Sequence, residues 1–392
     1  MKLEIRNVTN DKAGMKQFMF LPWEMYKNDP YWAPDLIMDL KKRLNKKAHP
    51  FFEFGDADFF LALRGGRPVG RIAAIENRRH VEIRKEPIGF WGFFECENNQ
   101  ETANALFEAA KAWVLAKGYK VMRGPMSCDT QDEVGMVIEG FDHMRYFIMP
   151  HNPPYYPELC ANFGMQKAKD LICFQLNIRD AIPEREARIA EIAQQRMEKR
   201  GFIFRNLNKK DIVHDFRQIM SIYHEGWKDN WGFVPASERQ FMELAENMKL
   251  VAEDGIVIII EGPVDQTTGK RPPVAMAVSL YDWMQSTHAT RHHPLWLQEI
   301  SQLLNLLFRL FLKPKPKFTR GRLFLAGVMP QYRGQGMDAL LYVLPFQAGK
   351  KHGIVDAELS WELEDNTAII SPIEKMGGKV YRKLRVWDCP TQ

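Results

Sequence analysis

Apolar runs of strand length alternate along the chain with stretches of helical periodicity. Ala57 to Leu63 is followed by the Gly65-Gly66 pair and a second run, Val69 to Ile75, an order that predicts a hairpin. A third run, Ile88 to Phe94, precedes Ala103 to Lys117, whose apolar residues Leu106, Phe107, Ala110 and Trp113 fall on one helix face. The second half repeats the order with Ile256 to Ile260, Val274 to Val278 and Leu323 to Met329, then a helical pattern from Met337 to Leu344 and a strand from Val355 to Glu362. Short motifs recur too. Tyr26-Lys27-Asn28-Asp29-Pro30-Tyr31-Trp32-Ala33-Pro34 is matched by Trp227-Lys228-Asp229-Asn230-Trp231-Gly232-Phe233-Val234-Pro235, and Ala161 to Lys167 by Glu374 to Val380. One half-fold used twice accounts for this order. The predicted class is α/β (α+β), with two tandem lobes, 1–181 and 201–392, each a mixed central sheet flanked by helices. A charged helix over 182–200, with apolar positions at Ile189, Ile192, Ala193 and Met197, is expected to connect them.

Composition narrows the classes. The chain has 392 residues, 45% of them hydrophobic, enough for ordinary cores. Met1 to Gln17 is charged and lacks the apolar centre of a signal peptide, and no uncharged apolar run is long enough to span a bilayer, so the expected location is the cytoplasm. Five cysteines with no C-x-x-C pair argue against a disulfide framework or a zinc site, and His288, His292 and His293 form no metal-binding pair with an acid. A net charge of +5, from 54 basic and 49 acidic residues, is too balanced to indicate nucleic acid.

The chemistry centres on Gln331-Tyr332-Arg333-Gly334-Gln335-Gly336, which lies between the apolar run ending at Met329 and the helix opening at Met337. A strand, a glycine turn and a helix N-terminus in succession direct unpaired N–H groups and the helix dipole at one spot, which suits a pyrophosphate. The spacing is not G-x-G-x-x-G and lacks the Lys-Ser/Thr of a P-loop. It resembles instead the Q/R-x-x-G-x-G/A acyl-CoA loop of the GNAT acyltransferases. The order that follows, a strand, then Asn366, then a helix ending in Glu374-Lys375-Met376-Gly377, is similar to that family's second motif.

A narrower resemblance runs over essentially the whole chain. Leu21-Pro22-Trp23, Pro50-Phe51-Phe52-Glu53, Gly70-Arg71-Ile72-Ala73-Ala74-Ile75, Gly92-Phe93-Phe94-Glu95, Met122-Arg123-Gly124-Pro125, Asn152-Pro153-Pro154-Tyr155-Tyr156 and Glu358-Leu359-Ser360-Trp361 look like the double-GNAT family that includes the bacterial ceramide synthases. The resemblance implies acyl-CoA as co-substrate, no metal, and transfer of a fatty acyl group to a sphingoid-base amine. The donor residues expected are Gly327, Val328, Met329, Gln331, Arg333, Gly334, Gln335, Gly336, Met337 and Asn366, the last of which would hold the donor's pantetheine or cap the next helix. A bulge around Ala326 to Met329 would free an N–H for the thioester oxygen. Strand alternation places Glu358, Ser360 and Glu362 on one face, so Glu362, and after it Glu358, are the candidate bases for the amine proton. The family often has a Tyr seven residues after the Asn, where this chain has Ile373, so no acid for the leaving thiol carries over.

In the first half, Glu97 and Glu101 stand where the glycine loop would be, and carboxylates repel a pyrophosphate, which assigns the donor to the second half. The polar run Cys128 to Glu133 and the segment Asn152 to Tyr156 are expected to line an acceptor cleft through Glu133, Asn152, Tyr155 and Tyr156. Cys128 lacks a nucleophile motif and reads as a packed residue. Leu295 to Leu312 is more apolar than a surface helix needs and is followed by Lys313, Lys315, Lys317, Arg320 and Arg322. Glu299 and Arg309 argue against a membrane span, leaving a core helix, an acyl tunnel or peripheral contact with the inner membrane face. Three functions remain: N-acylation of a sphingoid base, N-acylation of a soluble amine such as an amino acid, or non-catalytic acyl-CoA binding at a membrane.

Overall fold

The structure is a computed structural model that describes residues 2–251, 255–311 and 318–391. In chain order the first elements are β1 (Leu3–Asn7), α1 (Lys12–Met25), α2 (Ile37–Arg43), β2 (Gly55–Arg64), β3 (Arg67–Asn77), α3 (Arg78–Arg84), β4 (Ile88–Cys96), α4 (Gln100–Ala116), β5 (Val121–Gly124), β6 (Met136–Glu139), α5 (Tyr156–Asn162) and β7 (Gln166–Asn177). Then come α6 (Glu184–Lys199), β8 (Ile203–Asn206), α7 (Ile212–Trp227), α8 (Glu238–Val251), β9 (Val257–Glu261), β10 (Pro273–Tyr281), α9 (Met284–Ala289), α10 (Leu295–Phe311), β11 (Arg320–Val328), α11 (Met337–Lys351), β12 (Asp356–Leu363), α12 (Thr367–Lys375) and β13 (Lys379–Pro390). Contacts divide the chain into a first unit, Met1–Ile172 with Met284–Leu306 and Arg382–Gln392, and a second, Cys173–Trp283 with Leu307–Tyr381.

In the first unit β1, β2, β3 and β4 form an antiparallel meander, and β5 joins β4 in parallel over Ile88–Phe90 and Val121–Arg123. The far edge comes from the end of the chain, where Trp387–Pro390 pairs with β5 and Lys383–Arg385 pairs with β6. Alternate strand residues serve opposite faces. Phe60, Ala62, Ile72 and Ala74 pack with Leu106, Phe107 and Ala110 of α4, while neighbouring Phe59 meets Phe18 of α1 at 5.2 Å between ring centroids. The helix α4 begins three residues before the apolar pattern because Asn99 caps it, its Oδ1 accepting the Thr102 N–H at 3.1 Å.

The second unit repeats the sequence of elements. Strands β8, β9, β10 and β11 are antiparallel, and β12 runs parallel to β11. The helix expected to link the halves, α6, buries Ala190 and Ala193 against Leu340 and Val343 of α11. At the outer edge Arg205 of β8 holds Asp215 of α7 through two 2.7 Å bonds and Glu261 of β9 at 2.6 Å, and both acids are buried. Breaking a buried ion cluster from one side leaves charges uncompensated, which costs far more than a surface pair is worth. Arg205→Ala is therefore expected to lower the unfolding free energy by about 3–5 kcal/mol in urea denaturation. A loss within the range of an exposed pair, below about 1 kcal/mol, would show that α7 is held by packing alone.

Candidate functional site

Strands β11 and β12 lie side by side only over Arg320–Arg322 and Asp356–Glu358. Beyond that, β11 runs on to Val328 and β12 to Leu363, and a fork opens between them. At the last rung Arg322 and Glu358 are register partners, and their side chains form an ion pair of 2.6 Å, each almost fully buried. The register against β10 shifts between Val278 and Ser279, opposite Leu325 and Leu323, so the extra residue in β11 is Phe324. The expected bulge thus falls before Ala326. The freed amide arises another way: Met329 N–H bonds to Val274 O at 2.8 Å, and alternation then turns the Val328 N–H toward the open edge of the fork. Gly327 is fixed by close packing, since a Cβ there would come within 2.5 Å of the Trp227 ring.

The glycine loop closes the fork. Gly334 and Gly336 have φ of 71° and 86°, the left-handed region open to glycine, and Gly336 is the N-cap of α11 with no side-chain cap bond. Uncapped first-turn amides and the helix dipole are what an anion needs. The side chains around them hold the loop's shape. Arg333 donates to Val328 O at 3.3 Å and Gly226 O at 3.1 Å, Gln335 Nε2 donates to Gln331 O at 3.4 Å, and Arg200 reaches Gln335 Oε1 at 2.8 Å. In the first unit the corresponding helix end is filled: besides the Asn99 cap, Glu97 accepts from Thr102 Oγ1 at 2.8 Å and Arg64 bonds Glu101 at 3.0 Å.

Along β12, Ser360 has φ 64°, yet its Oγ accepts from Arg322 Nη2 at 3.3 Å, beside Glu358 on the same guanidinium. Glu358 is sealed in its pair with Arg322. Burial pushes its carboxyl up and the guanidinium opposes this. Glu362 is half-buried, and burial together with the Glu358 charge pushes it up to about 8. Asn366 sits at the N-cap of α12 without capping it by its side chain, and its Nδ2 instead reaches Glu362 Oε2 at 3.5 Å. Ile373 is fully buried. A hydroxyl absent from the sequence reading, Tyr342 of α11, lies within the field of Glu362, and burial and that charge push it well above the usual phenol range. Tyr342 also borders an apolar cavity of about 50 Å³ lined by Leu280, Leu323, Phe346, Ile354 and Leu359.

Of the residues expected to hold the acceptor, Glu133, Asn152 and Tyr156 line one cavity of the first unit, and Tyr155 stands behind Tyr156 with its hydroxyl on Cys96 O at 2.8 Å. Asn152 is occupied with the β6 backbone, accepting from Val137 N at 2.7 Å and donating to Val137 O at 3.1 Å. The Cys128 thiol is pushed well up by burial and by Asp132 and Asp129, so it is no thiolate nucleophile.

The fold, with its fork and glycine loop, is that of the GNAT acyltransferases. The comparisons agree. The tandem GNAT protein of the clavulanic acid biosynthesis pathway superposes over 100% of this chain and 99% of its own, with a TM-score of 0.59 at 13% identity. The GCN5-related N-acetyltransferase of Sphaerobacter thermophilus does so over 100% and 96%, with a TM-score of 0.51 at 11% identity. In sequence, the chain is 29% identical to the bacterial ceramide synthase of Caulobacter vibrioides over 96% of this chain and 94% of that protein. It is 26% identical to Protein YghO of Escherichia coli over 96% and 93%. No protein-family model matches. The resemblance read from the motifs, to the double-lobed family that includes bacterial ceramide synthases, is borne out.

A side chain at Gly336 would take up a strained φ, with its Cβ 3.0 Å from that of Ala193. Gly336→Glu is expected to abolish acyl-CoA binding in calorimetry at a cost to stability of about 1–2 kcal/mol. Retained affinity would remove the loop from the donor site.

Proposed function

We propose that this chain transfers a fatty acyl group from acyl-CoA to the amine of a sphingoid base. The observation that carries the transfer is the fork of β11 and β12 ending in an uncapped glycine loop, with the donor resting on Gly327, Val328, Met329, Gln331, Arg333, Gly334, Gln335, Gly336, Met337 and Asn366. The acceptor assignment is supported by the likeness to a protein named bacterial ceramide synthase.

The Val328 N–H is placed to stabilise the oxyanion as the neutral amine attacks the thioester carbon. The C–N bond forms, the nitrogen gives its proton to Glu362 directly or through a water, and the C–S bond breaks. A carboxylate with affinity near 8 is a far better proton acceptor than an ordinary glutamate. The thiolate leaves as the anion, since a thiol of pKa about 8.5 is a tolerable leaving group, whereas Tyr342, held well above the usual phenol range, is too weak an acid to protonate it. Glu358, locked to Arg322, sets the charge beside Glu362. Because the base must be unprotonated, turnover is expected to rise through pH 8, and Glu362→Gln to lower kcat by about 10²-fold with little change in donor affinity. An unaltered rate and pH profile in that variant would move the base elsewhere.

The lipid character of the acceptor is supported by α10. No helix among the described residues is long and apolar enough to cross a membrane. Yet α10 turns Gln298 and Gln302 inward and leaves Trp296, Ile300, Leu304, Phe308 and Phe311 more than half exposed, a stripe at helical spacing. Leu312 and the lysines at 313, 315 and 317 lie outside the described residues. Their sequence complements this stripe with the charge an anionic bilayer attracts. The protein is expected to sediment with anionic phospholipid vesicles at low salt, and the double change Leu304→Glu, Phe308→Glu to leave it in the supernatant. Equal sedimentation of both proteins would return the acceptor to the soluble amines.

A further inference from the structure

The apolar cavity of about 50 Å³ in the second unit begins where the fork does. Just below the last rung, Gly321 and Ala357 are register partners, and both line it. Just above the rung, Leu323 and Leu359, the first residues past Arg322 and Glu358, line it as well. The cavity therefore lies along the base of the fork, between the sheet and α11. Tyr342, in the field of Glu362, borders the end nearer the donor loop. Gly349, seven residues and about 10 Å further along α11, borders the other end, where Ile354 forms the floor. Of the polar side chains in the wall, Arg322 is held by Glu358 and the Tyr281 ring stacks on Phe318 at 5.3 Å, so a guest meets mainly carbon.

Two residues of the covering helix are poor helix formers, and both border the cavity. Pro345 offers no N–H to the carbonyl four residues before it, and its ring crowds that carbonyl. Gly349 is, after proline, the residue a helix interior favours least. Its position shows what is missing. Ile354 N–H bonds to Gly349 O at 2.9 Å and Gly353 N–H to Lys350 O at 3.2 Å, with Gly353 at φ 80°. This is a Schellman ending, whose usual apolar contact would join the side chains of residues 349 and 354. Residue 349 has none to offer. Nothing forbids one, since a Cβ there would meet only Ile354 and Ile178, at 3.7 Å and beyond, which is ordinary contact. Gly321 on the sheet side is open in the same way, its nearest neighbour being Leu280 O at 3.4 Å. Interiors hold few voids, and a side chain at 349 would favour the helix and fill the core at once. The space is kept against both gains, as room for an occupant.

We propose that this cavity receives the end of the donor's acyl chain, which turns from the fork and runs beneath α11, and that Gly349 and Ile354 set the length of chain it takes. The inference rests on the donor reading of the fork and adds to it the path and the limit of the chain. A space of about 50 Å³ admits roughly four water-sized groups, hence about four carbons of a chain whose earlier carbons occupy the fork. Each methylene buried on the way to the floor adds affinity, and carbons beyond it add none.

The test is titration calorimetry of the full chain with thioether analogues of acetyl-, octanoyl-, dodecanoyl- and hexadecanoyl-CoA, each kept below its micelle concentration. Affinity is expected to rise at least about tenfold from acetyl to octanoyl and no further to hexadecanoyl. Gly349→Leu, which supplies the missing side chain, should lower octanoyl affinity at least about tenfold while leaving acetyl affinity unchanged. Ile354→Ala, which lowers the floor, should move the plateau from octanoyl to dodecanoyl. Opposite shifts in the two variants do not arise from a general loss of folding. Affinity that climbs steadily to hexadecanoyl in the parent chain, or a Gly349→Leu profile that matches the parent's or falls equally for acetyl and octanoyl, would overturn the proposal and leave the donor site standing. A parent chain that binds none of the analogues would overturn the donor reading, and this inference with it.

Discussion

The buried pair of Arg322 and Glu358 stands at the point where β11 and β12 stop being neighbours, and the proposed donor site depends on that point. A sheet gives no room to a ligand while its strands pair. Separation makes room, but it exposes two backbone edges and demands a firm last rung. A fully enclosed ion pair is a costly way to supply one, and breaking it from one side leaves a stranded charge, so the fork cannot drift closed or open without penalty. The same pair places a carboxylate charge where it raises the proton affinity of Glu362, which links the architecture of the fork to its chemistry.

The two units share this plan and divide in what they put into it. In the second, glycines at 334 and 336 leave the start of α11 without a side-chain cap, and an apolar cavity borders a fork that also holds the Arg322–Glu358 pair and Glu362. In the first, Asn99 and two glutamates fill the helix end, and the fork holds arginines, carboxylates and tyrosines around a small cavity. The second unit's arrangement suits a diphosphate and an acyl chain, whereas the first unit's charges are engaged with one another. A duplicated half-fold explains how two such forks arise in one chain without new architecture, and α10, polar inside and apolar outside, is the element with no counterpart in the repeated pattern.

Much of this was legible in the sequence. Strands with period-two patterning, the Gly65-Gly66 turn and the strand-loop-helix around Gly336 come from short-range rules, and the structure has them within a few residues of the expected places. What could not be read depends on long-range contact. The pairing of Trp387–Pro390 with β5 joins the chain's end to its first third, and no local signal encodes it. Ser360 takes a left-handed φ in a non-glycine residue, which the period-two pattern of the strand does not foresee. The bulge at Phe324 rather than beyond Ala326 is a difference of register, which apolar runs do not fix. Tyr342 escaped notice because a tyrosine inside an apolar helical pattern reads as core until its neighbour Glu362 is known. The network of Tyr26, Arg71, Glu95 and Tyr156 draws on four distant segments and was invisible as a unit.

The central claim is that the fork of the second unit holds the donor's diphosphate. A crystal structure of the protein with a non-hydrolysable thioether analogue of a long-chain acyl-CoA tests it most directly. The account predicts the diphosphate against the amides of Gly334 to Met337, with the thioester-equivalent carbonyl beside the Val328 N–H. Density for the diphosphate at the start of α4, or away from both forks, would contradict it.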